Sequence, residues 1–190
     1  MPVMFVRVPD DRLGVVIGVK GVTKHEIETA THTQVEVDPE DQVIRLASPD
    51  DTDPMQVMKA RDIVLAIGRG FAPARAFRLL KEDTYLGIID IKEATGKRAK
   101  SAMWRIRSRV IGREGRARTR IEELSGCSVS VQGSTVALIG DEKQLERATR
   151  AVRLLLHGSE HSTVFRMLAH ERRDADLAEV MAPLEPSGEL

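Results

Sequence analysis

The sequence predicts an α+β fold built from two copies of one β-α-α-β-β-α unit, each a three-stranded sheet packed on helices, with a C-terminal helix after them. Three observations predict it. Val16-Ile17-Gly18-Val19-Lys20-Gly21 returns 94 residues later as Val110-Ile111-Gly112-Arg113-Glu114-Gly115. At the same offset Ile27-Glu28 returns as Ile121-Glu122, Val35 as Val129 and Val37 as Val131. A lone Gly-x-x-Gly arises often by chance, but this many matches in one register mark a repeated structural unit. Finally, each glycine loop precedes an amphipathic helix and then a pair of short β-prone segments.

The first unit is expected over residues 1–70. Val3 to Val8 is apolar and β-prone, a first strand. Pro9-Asp10-Asp11 turns, and Arg12 to Ile17 can form a short helix that the loop glycines interrupt. A second helix runs from Thr23 to Ala30. Thr33 to Val37 alternates with period two, as a half-buried strand does. Asp38-Pro39-Glu40-Asp41 turns into a return strand, Val43 to Ala47. Residues 48–53 break the chain and cap a further helix, with Pro54 in its first turn and Val57, Ala60, Ile63 and Ile67 on its apolar face. Residues 71–83 read as an apolar linker helix. An apolar linker must bury its side chains, which predicts a fixed contact between the units with Phe77 and Leu80 in it.

The second unit is expected over 84–158. Tyr85 to Ile91 is its first strand, and a basic, insertion-like stretch follows. The next helix, Ala99 to Ile111, places Ala99, Met103, Ile106 and Val110 along one face. A helix from Ala117 to Leu124 closes at Gly126. Ser128-Val129-Ser130-Val131 alternates, Gly133-Ser134 turns, and Thr135 to Ile139 returns. Asp141 caps a long helix that reaches His157. Residues 159–190 give a C-terminal helix and a flexible tail. Val164, Phe165 and Leu168 of that helix are expected to brace the contact between the units.

A formal net charge of zero hides a strong asymmetry. Residues 1–70 carry a net −4, residues 71–158 a net +8 and residues 159–190 a net −4. The densest part, 97–120, holds ten Lys or Arg against one acid, Glu114. A solvated helix face mixes signs, whereas this run flanks the second glycine loop on both sides. Such a stripe is the footprint of a phosphate-contacting surface, and the loop-helix arrangement points to single-stranded RNA. No apolar run is long enough to span a membrane, and the first residues lack the pattern of a secretory signal. Cys127 is the only cysteine, which removes an internal disulfide and any cysteine-based zinc site. A reduced, cytoplasmic location is the simplest expectation.

Both units resemble KH domains of type I, in which the strand hairpin follows the helix pair joined by the GxxG loop. The resemblance is carried most strongly by Arg109 to Arg116, then Ile121 to Gly126, Val129-Ser130-Val131 and Thr135 to Gly140. The tandem is similar to the archaeal members of the KRR/partner-of-Nob family of small-ribosomal-subunit biogenesis proteins, over residues 3–175. That family implies binding of small-subunit ribosomal RNA near its 3′ end. It implies a maturation endonuclease and a translation-initiation factor subunit as protein partners. Apart from the resemblance, the sequence has no Walker loop, HExxH or zinc cluster, so neither catalysis nor a cofactor is expected.

A KH loop clamps about four nucleotides. Here Gly18, Val19, Lys20, Gly21 and Lys24 are the candidates in the first unit. Arg109, Ile111, Gly112, Arg113, Glu114, Gly115, Arg116 and Arg120 are the candidates in the second. Glycine lets the backbone approach phosphates without a Cβ in the way, and the amides opening the next helix add partial positive charge. Arg116 and Arg120 share a helix face. Val16-Ile17, Val110-Ile111 and the hairpin would floor a groove for bases. Glu114 repels phosphate unless it pairs with Arg113 or Arg118 or turns away. Trp104, the only tryptophan, is expected in helix packing rather than base stacking. Ile27 and Ile121 are expected in the core. His157 and His161 are four apart but lack a third ligand, so no metal is expected. No catalytic motif is present. Two other classes stand beside the assembly-factor reading: a tandem-KH RNA-decay or translational regulator, and a mainly protein-binding adaptor.

Overall fold

Period-two alternation in the strands and three-to-four spacing in the helices give each unit one apolar sheet face and helices to cover it. The computed structural model describes residues 3–49 and 53–181. The flexible tail expected after residue 181 lies outside them. In the first unit β1 (Val3–Arg7), α1 (Asp10–Ile17), α2 (Val22–Thr31), β2 (Gln34–Asp38), β3 (Val43–Ala47) and α3 (Pro54–Gly68) follow in order. The sheet is antiparallel with β3 central. Val6 pairs with Ile44 and Val35 with Leu46, and all four are buried in one core with Val16, Ile27, Ile63 and Ile67. Asp53 opens α3 by accepting the Met55 N–H at 2.9 Å, with Pro54 preset for the first turn.

The linker folds as α4 (Pro73–Ala76) and a 3₁₀ turn, Phe77–Leu80. It is buried through Ala76 and Leu79, while Phe77 and Leu80 are half-buried against the first unit's core. The second unit runs β4 (Tyr85–Asp90), α5 (Ile91–Thr95), α6 (Lys100–Ile111), α7 (Arg116–Ser125), β5 (Ser128–Gln132), β6 (Thr135–Gly140) and α8 (Glu142–Leu156). Its sheet repeats the first, with β6 central. The short α5 was not expected. The Asp90 carboxylate starts it by accepting the Lys92 and Glu93 N–H groups at 2.7 and 3.1 Å. Asp141 and Gln144 form a reciprocal capping box at the start of α8.

The last helix, α9 (His161–Met181), corrects one expectation. Val164 and Leu168 are buried in the second unit's own core, among α7 and α8, rather than between the units. A different surface joins the units. Along β6, Val136 and Leu138 face the second unit's helices, whereas Ala137 and Ile139 join the first unit's hydrophobic core. Across the ladder Ser128 sits opposite Ile139 and Ser130 opposite Ala137, and both serines are buried. Each has a partner outside its own sheet. The Arg78 guanidinium donates to Ser128 Oγ at 2.7 Å, and Ser130 Oγ donates to the Arg69 carbonyl at 2.9 Å. Gln132 Nε2 donates to Asp11 at 3.1 Å. Gly70 presses so close that a Cβ there would lie 2.7 Å from Ser130 Oγ. The second sheet is therefore covered by its own helices on one face and, over β5 and β6, by the first unit on the other, while Ile88 of β4, opposite Ala137, stays exposed.

Candidate nucleic-acid interface

The two glycine loops have one backbone geometry. Gly18 has φ 75° and ψ 173°, and Gly112 has φ 75° and ψ 175°. The residue before the second glycine is left-handed in both, Lys20 at φ 53° and Glu114 at φ 55°. A left-handed non-glycine residue costs roughly 1–2 kcal/mol, so this shape is held by its surroundings. The two glycines of each loop are needed for different reasons. A Cβ on Gly18 would fall 2.4 Å from Thr23 Oγ1 and 2.7 Å from the Thr23 amide nitrogen; on Gly112 it would fall 2.5 Å from Ala117 Cβ and 2.7 Å from the Ala117 nitrogen. The first glycine thus lets the loop close onto the helix start. Gly21, at φ 80°, has no atom within 4 Å of its Cβ position, and Gly115, at φ 77°, meets only the tip of Arg118 at 3.9 Å. The second glycine supplies a left-handed turn and leaves open space beside it.

Both α2 and α7 begin directly at that second glycine, and neither has a side chain capping its first amides. Uncapped amides at the positive end of a ten-residue helix are the donor arrangement that anions favour. What surrounds the two sites differs, position by position along the repeat. Val19, Val22, Lys24 and Glu26 in the first unit stand where Arg113, Arg116, Arg118 and Arg120 stand in the second. Val19 is 82% exposed and Val22 54%. Between their glycines the first loop carries Val19-Lys20 and the second Arg113-Glu114, so the charge contrast lies in the helices that follow, Val22, Lys24 and Glu26 against Arg116, Arg118 and Arg120.

Several sequence expectations are refined. Glu114 pairs with Arg116 at 2.8 Å, not with Arg113 or Arg118. Both partners are exposed, so the pair contributes at most about 1 kcal/mol and can open to a phosphate. Arg120 reaches Glu123 at 3.1 Å, and Lys24 lies 3.9 Å from Glu28. Val16 and Val110 are fully buried core residues, while Ile17 and Ile111 stay half-exposed beside the loops. Ile27 and Ile121 are core, as expected. Arg109 does not join the loop cations. Its guanidinium donates to the Leu155 and Ser159 carbonyls at 3.3 and 2.7 Å, which holds the C-terminal end of α8. His161 Nε2 lies 2.8 Å from the Arg109 carbonyl, and His157 Nδ1 2.8 Å from the Arg153 carbonyl, so each ring has a backbone partner. Trp104 is not packed between helices but stands 69% exposed on α6.

Sequence reasoning missed one side of the second loop. A surface cleft there is lined by Gly112, Arg113, Arg116, Arg120, His161 and Phe165. The ring centroids of His161 and Phe165 are 5.9 Å apart. The aromatic spacing on α9 was visible, but its packing next to α7 was not. Among the described residues no group of three or more His, Cys, Asp or Glu could hold a metal ion, and no helix is long and apolar enough to cross a membrane.

This fold and these loops define a class, the tandem type I KH proteins that bind RNA. Residues 85–173 match the PNO1 second-KH family, a eukaryotic-type KH domain (KH-domain type I), and residues 3–66 match the KH domain family. The KH domain-containing protein MJ0443 of Methanocaldococcus jannaschii is 40% identical over 167 residues, covering 88% of this chain and 73% of that protein. The crystal structure of Dim2p from Pyrococcus horikoshii OT3 is 49% identical, with a TM-score of 0.84 over 90% of this chain and 99% of that one. In the a/eIF2alpha–aDim2p–rRNA complex from the same organism, the similar chain is also 49% identical, with a TM-score of 0.85 over 91% of this chain and 95% of that one. The chain belongs to the archaeal tandem-KH family of Dim2p and PNO1.

Proposed function

We propose that this protein clamps single-stranded RNA of the small ribosomal subunit, at the 3′ region of the rRNA, during assembly and maturation in the cytoplasm. The observation that carries the reading is the second loop: uncapped α7 amides behind open space at Gly115, ringed by Arg113, Arg116 and Arg120. Phosphates meet amides and arginines there, and the half-exposed Ile111 gives an adjoining base an apolar surface. The solved complex of the 49%-identical relative with rRNA and a/eIF2alpha supports both the RNA class and a translation-initiation factor subunit as partner. A maturation endonuclease is the second protein partner proposed. The chain itself acts by binding, and RNA incubated with the purified protein and magnesium should remain intact. Crosslinking in cells tests the assignment. RNA reads concentrated at the small-subunit rRNA 3′ end are expected. Reads dispersed over messenger RNAs would move the protein to the regulator class, and recovery of proteins without RNA to the adaptor class.

A further inference from the structure

The helix that leads into the second loop carries a stripe that the loop reading leaves unused. At 3.6 residues per turn, Lys100, Trp104, Arg107 and Ile111 fall on one side of α6, ending beside Gly112. The core residues Met103, Ile106 and Val110 fall on another side. Arg109 reaches α8 from a third. Lys100 and Trp104 are exposed, and Arg107 and Ile111 half-exposed. Arg107 Nε is enclosed yet makes no hydrogen bond among the described residues. From Lys97 to Arg113 the chain contains no acidic residue. A large aromatic face held in water between Lys100 and Arg107, neither of which has an ion pair among the described residues, has no folding reason to be there, because burying an indole is favourable. It suits a planar, anionic polymer, whose bases stack on aromatic rings while its phosphates meet the flanking cations.

We propose that Trp104 is a stacking platform for a nucleobase outside the set of about four that the loop itself clamps, with Arg107 and Lys100 meeting the adjoining phosphates. The proposal rests on the RNA-binding reading above. It commits to RNA because the stripe is continuous with the loop through Ile111 and matches RNA in charge. A patch built to dock a protein would not need cations one turn away on both sides of its tryptophan, as Lys100 and Arg107 are along α6.

Trp104 is the only tryptophan, so its emission reports this position directly. The full chain is titrated with fluorescein-labelled single-stranded RNA from the small-subunit rRNA 3′ region, in one length of about four nucleotides and one roughly twice as long. Label anisotropy measures binding, and tryptophan emission is read in parallel with unlabelled RNA. The longer RNA should quench Trp104 and the shorter should not. Trp104→Ala should weaken only the longer RNA, by about tenfold, the order expected for one lost base–aromatic stack. Trp104→Phe should recover most of that loss and Trp104→Leu should not, which separates stacking from apolar contact. If the longer RNA binds while emission and the Trp104→Ala affinity stay unchanged, the platform is refuted and the loop reading stands. If only a protein partner changes the emission, the stripe is a protein dock. If neither RNA alters the anisotropy, the RNA reading falls and this inference falls with it.

Discussion

Glu28 and Glu122 occupy the same position of the repeat, and both side chains do the same work. Glu28 Oε1 accepts the Val35 N–H at 3.0 Å, and Glu122 Oε1 accepts the Val129 N–H at 2.8 Å. The matching Val35 and Val129 are thus part of one device, a carboxylate that satisfies a strand amide from the preceding helix. Glu122 also takes the Arg75 guanidinium at 2.7 Å, a tie from the linker that Glu28 lacks. Glu28→Ala leaves one amide unpaired and should cost about 1–3 kcal/mol. Glu122→Ala should cost more, and urea denaturation of both variants decides the order. The loop glycines give a second test. Gly112→Ala drives a Cβ into Ala117 and should distort the loop and lose RNA binding, whereas Gly115→Ala meets only left-handed strain of roughly 1–2 kcal/mol. Equal affinities in the two variants would contradict this division. Cys127 gives a third. Burial, and then the Asp141 carboxylate, push its thiol from 9.0 up to about 12. Its folded form holds the proton more tightly than the unfolded chain, so its stabilisation is complete below the unfolded value of 9.0 and is lost as pH climbs toward 12. Iodoacetamide at pH 8 should leave Cys127 unmodified in the folded protein and label it once denatured.

At the level of elements, the two loops share a backbone but open helices of different charge, α2 with Val22, Lys24 and Glu26 and α7 with Arg116, Arg118 and Arg120, which predicts unequal contributions. Replacing Arg113-Glu114 by Asp-Asp should lower RNA affinity by at least tenfold and reduce the salt slope by about 0.7, the value for one lost phosphate contact on a single strand. Replacing Val19-Lys20 by Asp-Asp should cost less, because the helix after the first loop carries Val22 and Glu26 where the helix after the second carries Arg116 and Arg120. A larger loss from the first loop would mean that apolar contact with bases outweighs charge. The element order, the glycine loops and the caps at Asp53 and Asp141 were all legible in the sequence, because each is a local pattern. The α5 helix was not, since five residues hold too few apolar positions to show a period. Alternation in β5 was read correctly as strand, but its serines face the first unit rather than water. Period two separates the faces of a strand without saying what lies opposite the polar one. Trp104 misled for a related reason. Its hydrophobicity argues for burial, and only the position of the core residues on α6 shows that it lies elsewhere.

In the whole molecule the covered second sheet replaces a flexible tether with a fixed joint. Small side chains at Ser128, Ser130 and Ala137 let the first unit approach closely, and Ala137 and Ile139 become part of its core. A domain joined only by its chain would tumble. One that shares core residues and hydrogen bonds at Arg69, Arg78 and Gln132 sets the separation of the two glycine loops. Under the proposed function, an RNA that engages both loops would meet the second at a high effective concentration set by that fixed span. The wild-type chain should therefore resist protease within 71–84, and its small-angle scattering should fit one rigid body. Arg78→Ala with Ser130→Ala removes two buried-side ties of about 1 kcal/mol each without touching either loop. That double variant should be cut faster in the linker. It should also lose affinity for RNA long enough to reach both loops while binding a short RNA at the second loop unchanged. Rapid linker cleavage of the wild type, or scattering from two independently moving bodies, would refute the joint. Equal losses for short and long RNA would show that the joint shapes the second loop itself rather than its distance from the first.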